Sequence, residues 1–146
     1  MVNREAAGLR RLYSRPMSDW CSEPPPALLL RGIDQFNRGE FFEQHETLED
    51  LWRAETRAVR RLYQGILQIG VAAYQIRRRN HHGAMHMLTR GPAYLRPFAP
   101  RCQSVDVADL LAQAGRMRAE VERLGPHGLD RFDWSLAPRV RLIAPP

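Results

Sequence analysis

Residues 57–79 read RAVRRLYQGILQIGVAAYQIRRR, and this stretch decides the fold. Val59, Leu62, Ile66, Ile69, Ala73 and Ile76 follow one another in steps of three and four without a miss, which is the period of one face of an α-helix. Upstream, Leu29, Ile33 and Phe36 with Leu30 beside them predict a helix over 26–38, ended by Gly39. A second helix is predicted over 41–55. Downstream, the polar turn 80–83 leads into a helix over 83–90, with Gly91-Pro92 expected to kink or split it. Pro97 and Pro100 bracket an irregular connector. Asp106 is the expected N-cap of a fifth helix reaching 124, and Gly125-Pro126 ends it. No segment carries the two-residue period of a strand. The reading is therefore an all-α protein, a small bundle of about five helices built on two helical hairpins, with three main core helices. Three regions follow: a Pro/Arg-rich arm over 1–26 with a short amphipathic turn around Leu9, Leu12 and Tyr13, a bundle over 27–124, and an extended tail over 125–146. The hairpins have a tetratricopeptide flavour, but their spacing of about 41 residues and the missing consensus positions argue against that repeat.

Composition narrows the function classes. With 146 residues, 44% of them hydrophobic, the chain suits one domain with a real core. No run approaches the ~18 apolar residues of a membrane span. Cys21 and Cys102 stand far apart, in no metal-ligand spacing and beside no activating base, and read as structural thiols rather than a disulfide framework. The first fifteen residues lack the apolar core of a secretory signal, so the cytoplasm is the expected compartment. All 22 basic residues are arginine against 16 acids, a net +6. That charge points toward nucleic acid or another anion. No helix-turn-helix, finger or stacking-aromatic pattern accompanies it, and specific DNA binding is not expected.

The charge is unevenly placed. Residues 31–55 hold three arginines and seven acids, whereas residues 56–101 hold nine arginines and no acid. An acidic second helix thus stands against a basic third and fourth. The surplus collects at Arg77, Arg78 and Arg79, the anion-binding candidates, although arginines at a helix C-terminus also suit the helix dipole without any ligand.

Chemistry concentrates in helix two. On a wheel of ~100° per residue, His45 falls inside the apolar face with Phe41, Leu48 and Trp52, and Glu49 lies at its edge one turn on. A His and a carboxylate at this spacing can share one metal ion, with an intervening glutamate holding the attacking water. His45 and Glu49 are then ligands and Glu46 the base. His45-Glu46-x-x-Glu49 is similar to the zincin pattern with its second His replaced by Glu, so a third ligand must come from His82 or His86 of helix four. The alternative is a buried His satisfied by Glu49, pinning helix two to its neighbours. In helix three, Gln64 and Gln68 fall with Arg57, Arg61, Gln75 and Arg79 opposite the core stripe, a solvated face by period alone. Gly65 and Gly70 suggest close helix crossings.

These residues resemble the bacterial and archaeal family known as domain of unknown function 309. The resemblance rests on Phe36-Asn37-x-Gly39-x-Phe41-Phe42-Glu43-x-His45-Glu46-x-Leu48-Glu49-x-Leu51-Trp52, then Tyr63-Gln64-Gly65-Ile66-Leu67-Gln68, then Asn80-x-x-Gly83-Ala84. Tyr94-Leu95-x-Pro97-Phe98 and Val105-Asp106-Val107 extend it, so that it spans residues 28–124. It implies an all-α bundle around three main helices. Its members are often labelled predicted metal-dependent hydrolases, which implies one divalent ion (Zn, Mn or Fe) and a small-molecule substrate. His45, Glu46, Glu49, Gln64 and Gln68 carry over as the site, with Trp52 joining the two glutamines on the substrate side. Two departures stand out: Tyr74-Gln75 replaces a histidine common in the family, removing a possible ligand, and Pro92 interrupts a usually continuous helix. The competing expectation is a non-enzymatic interaction module, a homodimer or the binder of a protein or RNA partner through its basic end.

Overall fold

The computed structural model describes residues 20–144. The amphipathic turn expected around Leu9–Tyr13 lies outside them. Five helices follow in chain order: α1 (Ala27–Asn37), α2 (Phe41–Ala54), α3 (Arg60–Arg77), α4 (His81–Leu95) and α5 (Val107–Leu124). The protein is all-α, and the two hairpins expected from sequence are α1–α2 and α3–α4. Helix α3 packs against both α2 and α4, α1 lies on α2, and α5 lies on α4.

Centrality explains the composition of α3. Its stripe of Leu62, Ile66, Ile69, Ala73 and Ile76 is fully or almost fully buried, and Tyr63, Gly65, Leu67, Gln68, Gly70 and Ala72 are buried beside it. Two glycines make its crossings possible. A Cβ on Gly65 would sit 2.7 Å from Leu95 and 3.1 Å from the Gly91 carbonyl oxygen of α4. On Gly70 it would sit 2.3 Å from the Gln44 amide of α2.

Helix α4 departs from expectation at both ends. It begins at His81, because Asn80 caps it by accepting from the Gly83 N–H at 2.9 Å. It also runs unbroken through Gly91-Pro92 to Leu95. The missing donor of Pro92 is outweighed here by packing, since Gly91 lies against Gly65 and buried Leu88 and Leu95 hold the helix to α3 on either side. At α5 the cap is as expected, Asp106 Oδ1 accepting from the Asp109 N–H at 3.0 Å.

Two features contradict the sequence reading. A short antiparallel hairpin joins α4 to α5, β1 (Arg101–Cys102) with β2 (Val105–Asp106), where only an irregular connector was expected. Its two turn residues, Gln103 and Ser104, have φ of 47° and 66°, the conformation of a type I′ turn. Tertiary contacts hold this turn. Gln103 donates its N–H to the Cys21 carbonyl at 2.8 Å, and its Oε1 accepts from the buried Tyr63 hydroxyl at 2.8 Å. Cys21 and Cys102 are joined in a disulfide rather than standing as free thiols, because the fold brings together what the sequence separates.

The tail is strapped over one end of the bundle. Asn37 and the Val140 backbone exchange two hydrogen bonds of 2.9 and 2.7 Å, and Val105 bridges to Leu142.

Two titrating groups make this core pH-sensitive at its extremes. Burial pushes the Tyr63 hydroxyl up to about 12, so the unfolded chain loses that proton first and stability should fall as pH rises from 10 to 12. Tyr63→Phe should flatten that limb in a denaturant series. At the other extreme Arg57 bonds to both Glu55 at 2.9 Å and Glu23 at 2.6 Å. The Arg57 hydrogen bond holds Glu55 below the usual carboxylate range, a contribution present above 4.5 and lost as pH falls through the lowered value.

Candidate functional site

The buried face of α2 is Phe41, Gln44, Thr47, Leu48 and Leu51. Its centre is Gln44, whose amide donates to the carbonyls of Phe41 at 3.0 Å and Leu67 at 3.1 Å. His45 is therefore not inside the apolar face. It stands at the rim with its side chain 36% exposed, because the polar Gln44 takes the buried position and Phe42 turns outward, 47% exposed.

At that rim His45 Nε2 lies 3.0 Å from Glu49 Oε2, and the other Glu49 oxygen accepts from Arg53. The carboxylate is thus shared between an imidazole and a guanidinium. Glu46 is exposed. His86 does not join the pair, its ring stacking on His82 along α4 with centroids 6.5 Å apart. Among the described residues no group of three or more His, Cys, Asp or Glu side chains is placed to hold a metal ion. A catalytic zinc usually takes three protein ligands, and His45 and Glu49 are the two candidate donors that stand together.

The remaining candidates line the same edge. Antiparallel α2 and α3 meet at Phe42 with Tyr74, ring centroids 5.6 Å apart, and at Trp52 with Arg60, 4.8 Å above the indole. His45 and Glu49 lie between these two contacts on α2. On α3, Gln64 and Val71 occupy the corresponding outward positions, both half-buried. Gln64 accepts from Arg61. Gln68 is not on a solvated face as its period suggested. It is 7% exposed beside Gly91, and its Oε1 has no hydrogen-bond partner. The Trp52 indole N–H is likewise buried and unpartnered. The structure thus places His45, Glu49, Trp52 and Gln64 along the α2–α3 edge, which carries an aromatic pair, Phe42 and Tyr74, that sequence reasoning did not include, while Gln68 packs beside Gly91 of α4. The signal available for it was Phe42 standing next to a buried phenylalanine, since adjacent positions lie about 100° apart on a helix and one of the pair falls toward the edge of the buried face.

The three arginines make different contacts. Arg77 donates to the Gly39 carbonyl at 2.7 Å and lies over the rings of Phe41 and Trp134. Arg78 donates to the Tyr74 hydroxyl at 3.2 Å, on the α2–α3 face. Arg79 follows the helix in a left-handed conformation, φ 58°, and lines a cleft with Leu129, Asp130 and Trp134 of the tail.

Among the described residues no helix is long and apolar enough to cross a membrane. No curated protein matches the chain. Residues 29–87, which run from α1 into α4 and stop short of the C-terminal half of the expected resemblance, match the model of the family described as Domain of unknown function (DUF309), and over that stretch the chain resembles this family.

Proposed function

We propose that the chain is a non-enzymatic helical interaction module whose α2–α3 face takes a second copy of itself. The observation that carries this reading is the aromatic rim: Phe42, 47% exposed and resting on Tyr74, stands beside the partly exposed His45, ring centroids 6.2 Å apart. Contiguous exposed apolar surface edged by polar groups marks an association site.

Charge favours a copy of the chain as the partner. Acidic residues crowd 31–55 and none occurs over 56–101, so the segment that carries α2 is acidic and the segment that carries α3 and α4 is basic. A twofold axis lays each α2 against its partner's basic helices. His45 and Glu49 are on this reading a structural pair that orients the rim.

The family resemblance supports the competing hydrolase reading, with His45 and Glu49 on a divalent ion and Glu46 as base. The donor set described above is what sets it second. Phe42→Asp is expected to weaken association by at least about tenfold, roughly the 1.4 kcal/mol of a modest interface contact, while the helical circular-dichroism spectrum of the folded chain is kept because the ring is outside the core. Arg78→Glu should weaken it less. Association by Phe42→Asp equal to that of the native chain, measured by sedimentation velocity, would overturn the reading.

A further inference from the structure

The C-terminal end of α3 and the tail enclose a cleft of about 500 Å³ lined by Arg77, Arg79, Leu129, Asp130 and Trp134, and a second of about 320 Å³ continues past Arg79 to Pro126 and His127. We propose that this cleft binds a small ligand made of one anionic group joined to a flat ring that carries N–H donors.

Arg79 supplies the first argument. It occupies the position after the helix cap, where a left-handed residue is usually glycine because any Cβ is strained there. An arginine held in that conformation at the mouth of a cleft points to a use for its guanidinium. Among the described residues neither Arg79 nor Asp130 makes an ion pair. The second argument is preorganisation. Arg77 is fixed by the Gly39 carbonyl and lies 4.7 and 5.5 Å from the centroids of Phe41 and Trp134, so its charge costs little to order on binding. Two guanidinium groups outweigh the half negative charge of the helix end, and a phosphate or carboxylate is the matching group.

The rest of the cleft specifies what is attached to the anion. Trp134 is 40% exposed, held between Arg77 at 5.5 Å over its ring and Phe132 with centroids 4.9 Å apart, and presents aromatic surface to the cleft. The Asp130 carboxylate only accepts hydrogen bonds, so it selects a ring N–H or amino group and repels further negative charge. The volume is within the ordinary range for small-molecule sites, about 300–1,000 Å³.

Nucleoside monophosphates and aromatic carboxylates share this chemistry. Calorimetric titration of the full chain with adenosine monophosphate, indole-3-carboxylate, inorganic phosphate and adenosine triphosphate separates them. At least one of the first two should bind tenfold or more tighter than inorganic phosphate, and the triphosphate should gain nothing over the monophosphate. Whichever ring anion binds identifies the source. Arg79→Gly should lose that binding tenfold or more while its melting temperature stays level or rises, because glycine relieves the left-handed strain. Trp134→Ala should lose the advantage of the ring over phosphate. Binding of neither ring anion, equal binding of phosphate, or full binding by Arg79→Gly would overturn the proposal.

Discussion

Truncating Phe36 to alanine is expected to lower the unfolding free energy by about 3–5 kcal/mol, the range for a large aromatic removed from a packed core. Phe36 is fully buried and meets Phe41 edge to face, with ring centroids 5.6 Å apart and planes at 90°. It also reaches to within 3.1 Å of where a side chain on Gly70 would begin. One ring therefore joins α1, α2 and α3, and no neighbour can collapse into its space without separating them. Because single domains hold only about 5–15 kcal/mol in all, the variant should be close to unfolding at physiological temperature. Phe36→Leu, which keeps most of the volume, should cost under about 1.5 kcal/mol. Urea denaturation of the pair checks this, and equal midpoints for the two variants would contradict the packing described.

Loss of the disulfide should come next in size. Cys21 and Cys102 close a loop across a sequence separation of 81, and disulfides typically stabilise by about 2–4 kcal/mol, attributed in the chain-entropy account to restriction of the unfolded chain. The bond also fastens the segment before α1 to the hairpin, beside the hydrogen bond from Gln103 to the Cys21 carbonyl. The Cys21→Ala, Cys102→Ala double variant should unfold at a lower denaturant midpoint. Adding reductant should bring the native chain to about the same midpoint and leave the double variant unmoved. A native midpoint indifferent to reductant would show that the bond carries no stability.

What the sequence discloses of this fold depends on how local each cause is. The α3 stripe was legible because burial on one side of a helix imposes a period that six apolar residues report. The Asp106 cap behaved likewise, acting within three residues of itself. The errors arose where distant contacts override local rules. Gln44 occupies the centre of a buried face through carbonyls at Phe41 and Leu67, and a hydropathy wheel, counting Phe42 instead, set that face off by roughly one residue step of 100°. His45 moved from core to rim as a result. The Gln103-Ser104 turn lacks the Asn-Gly signal of its type and is held instead by Tyr63 and Cys21. Pro92 reads as a helix breaker until Gly91 and Gly65 are seen to pack.

Among the candidate residues, the contact within one helix was legible and the contacts between helices were not. His45 and Glu49 meet as their spacing requires, whereas His86 faces His82. The tail cleft left no trace because Trp134 and Asp130 sit in a segment without periodicity, brought to α3 by the strap through Asn37 and Val140.

The central claim is that the family-like face of α2 and α3 is an association surface. The most direct test is the molar mass of the native chain in solution, by light scattering across a range of concentrations with a metal chelator present. The account predicts a mass approaching twice the 16.9 kDa of one chain, unaltered by the chelator. A mass of one chain at every concentration, or a dimer that the chelator dissolves, would contradict it.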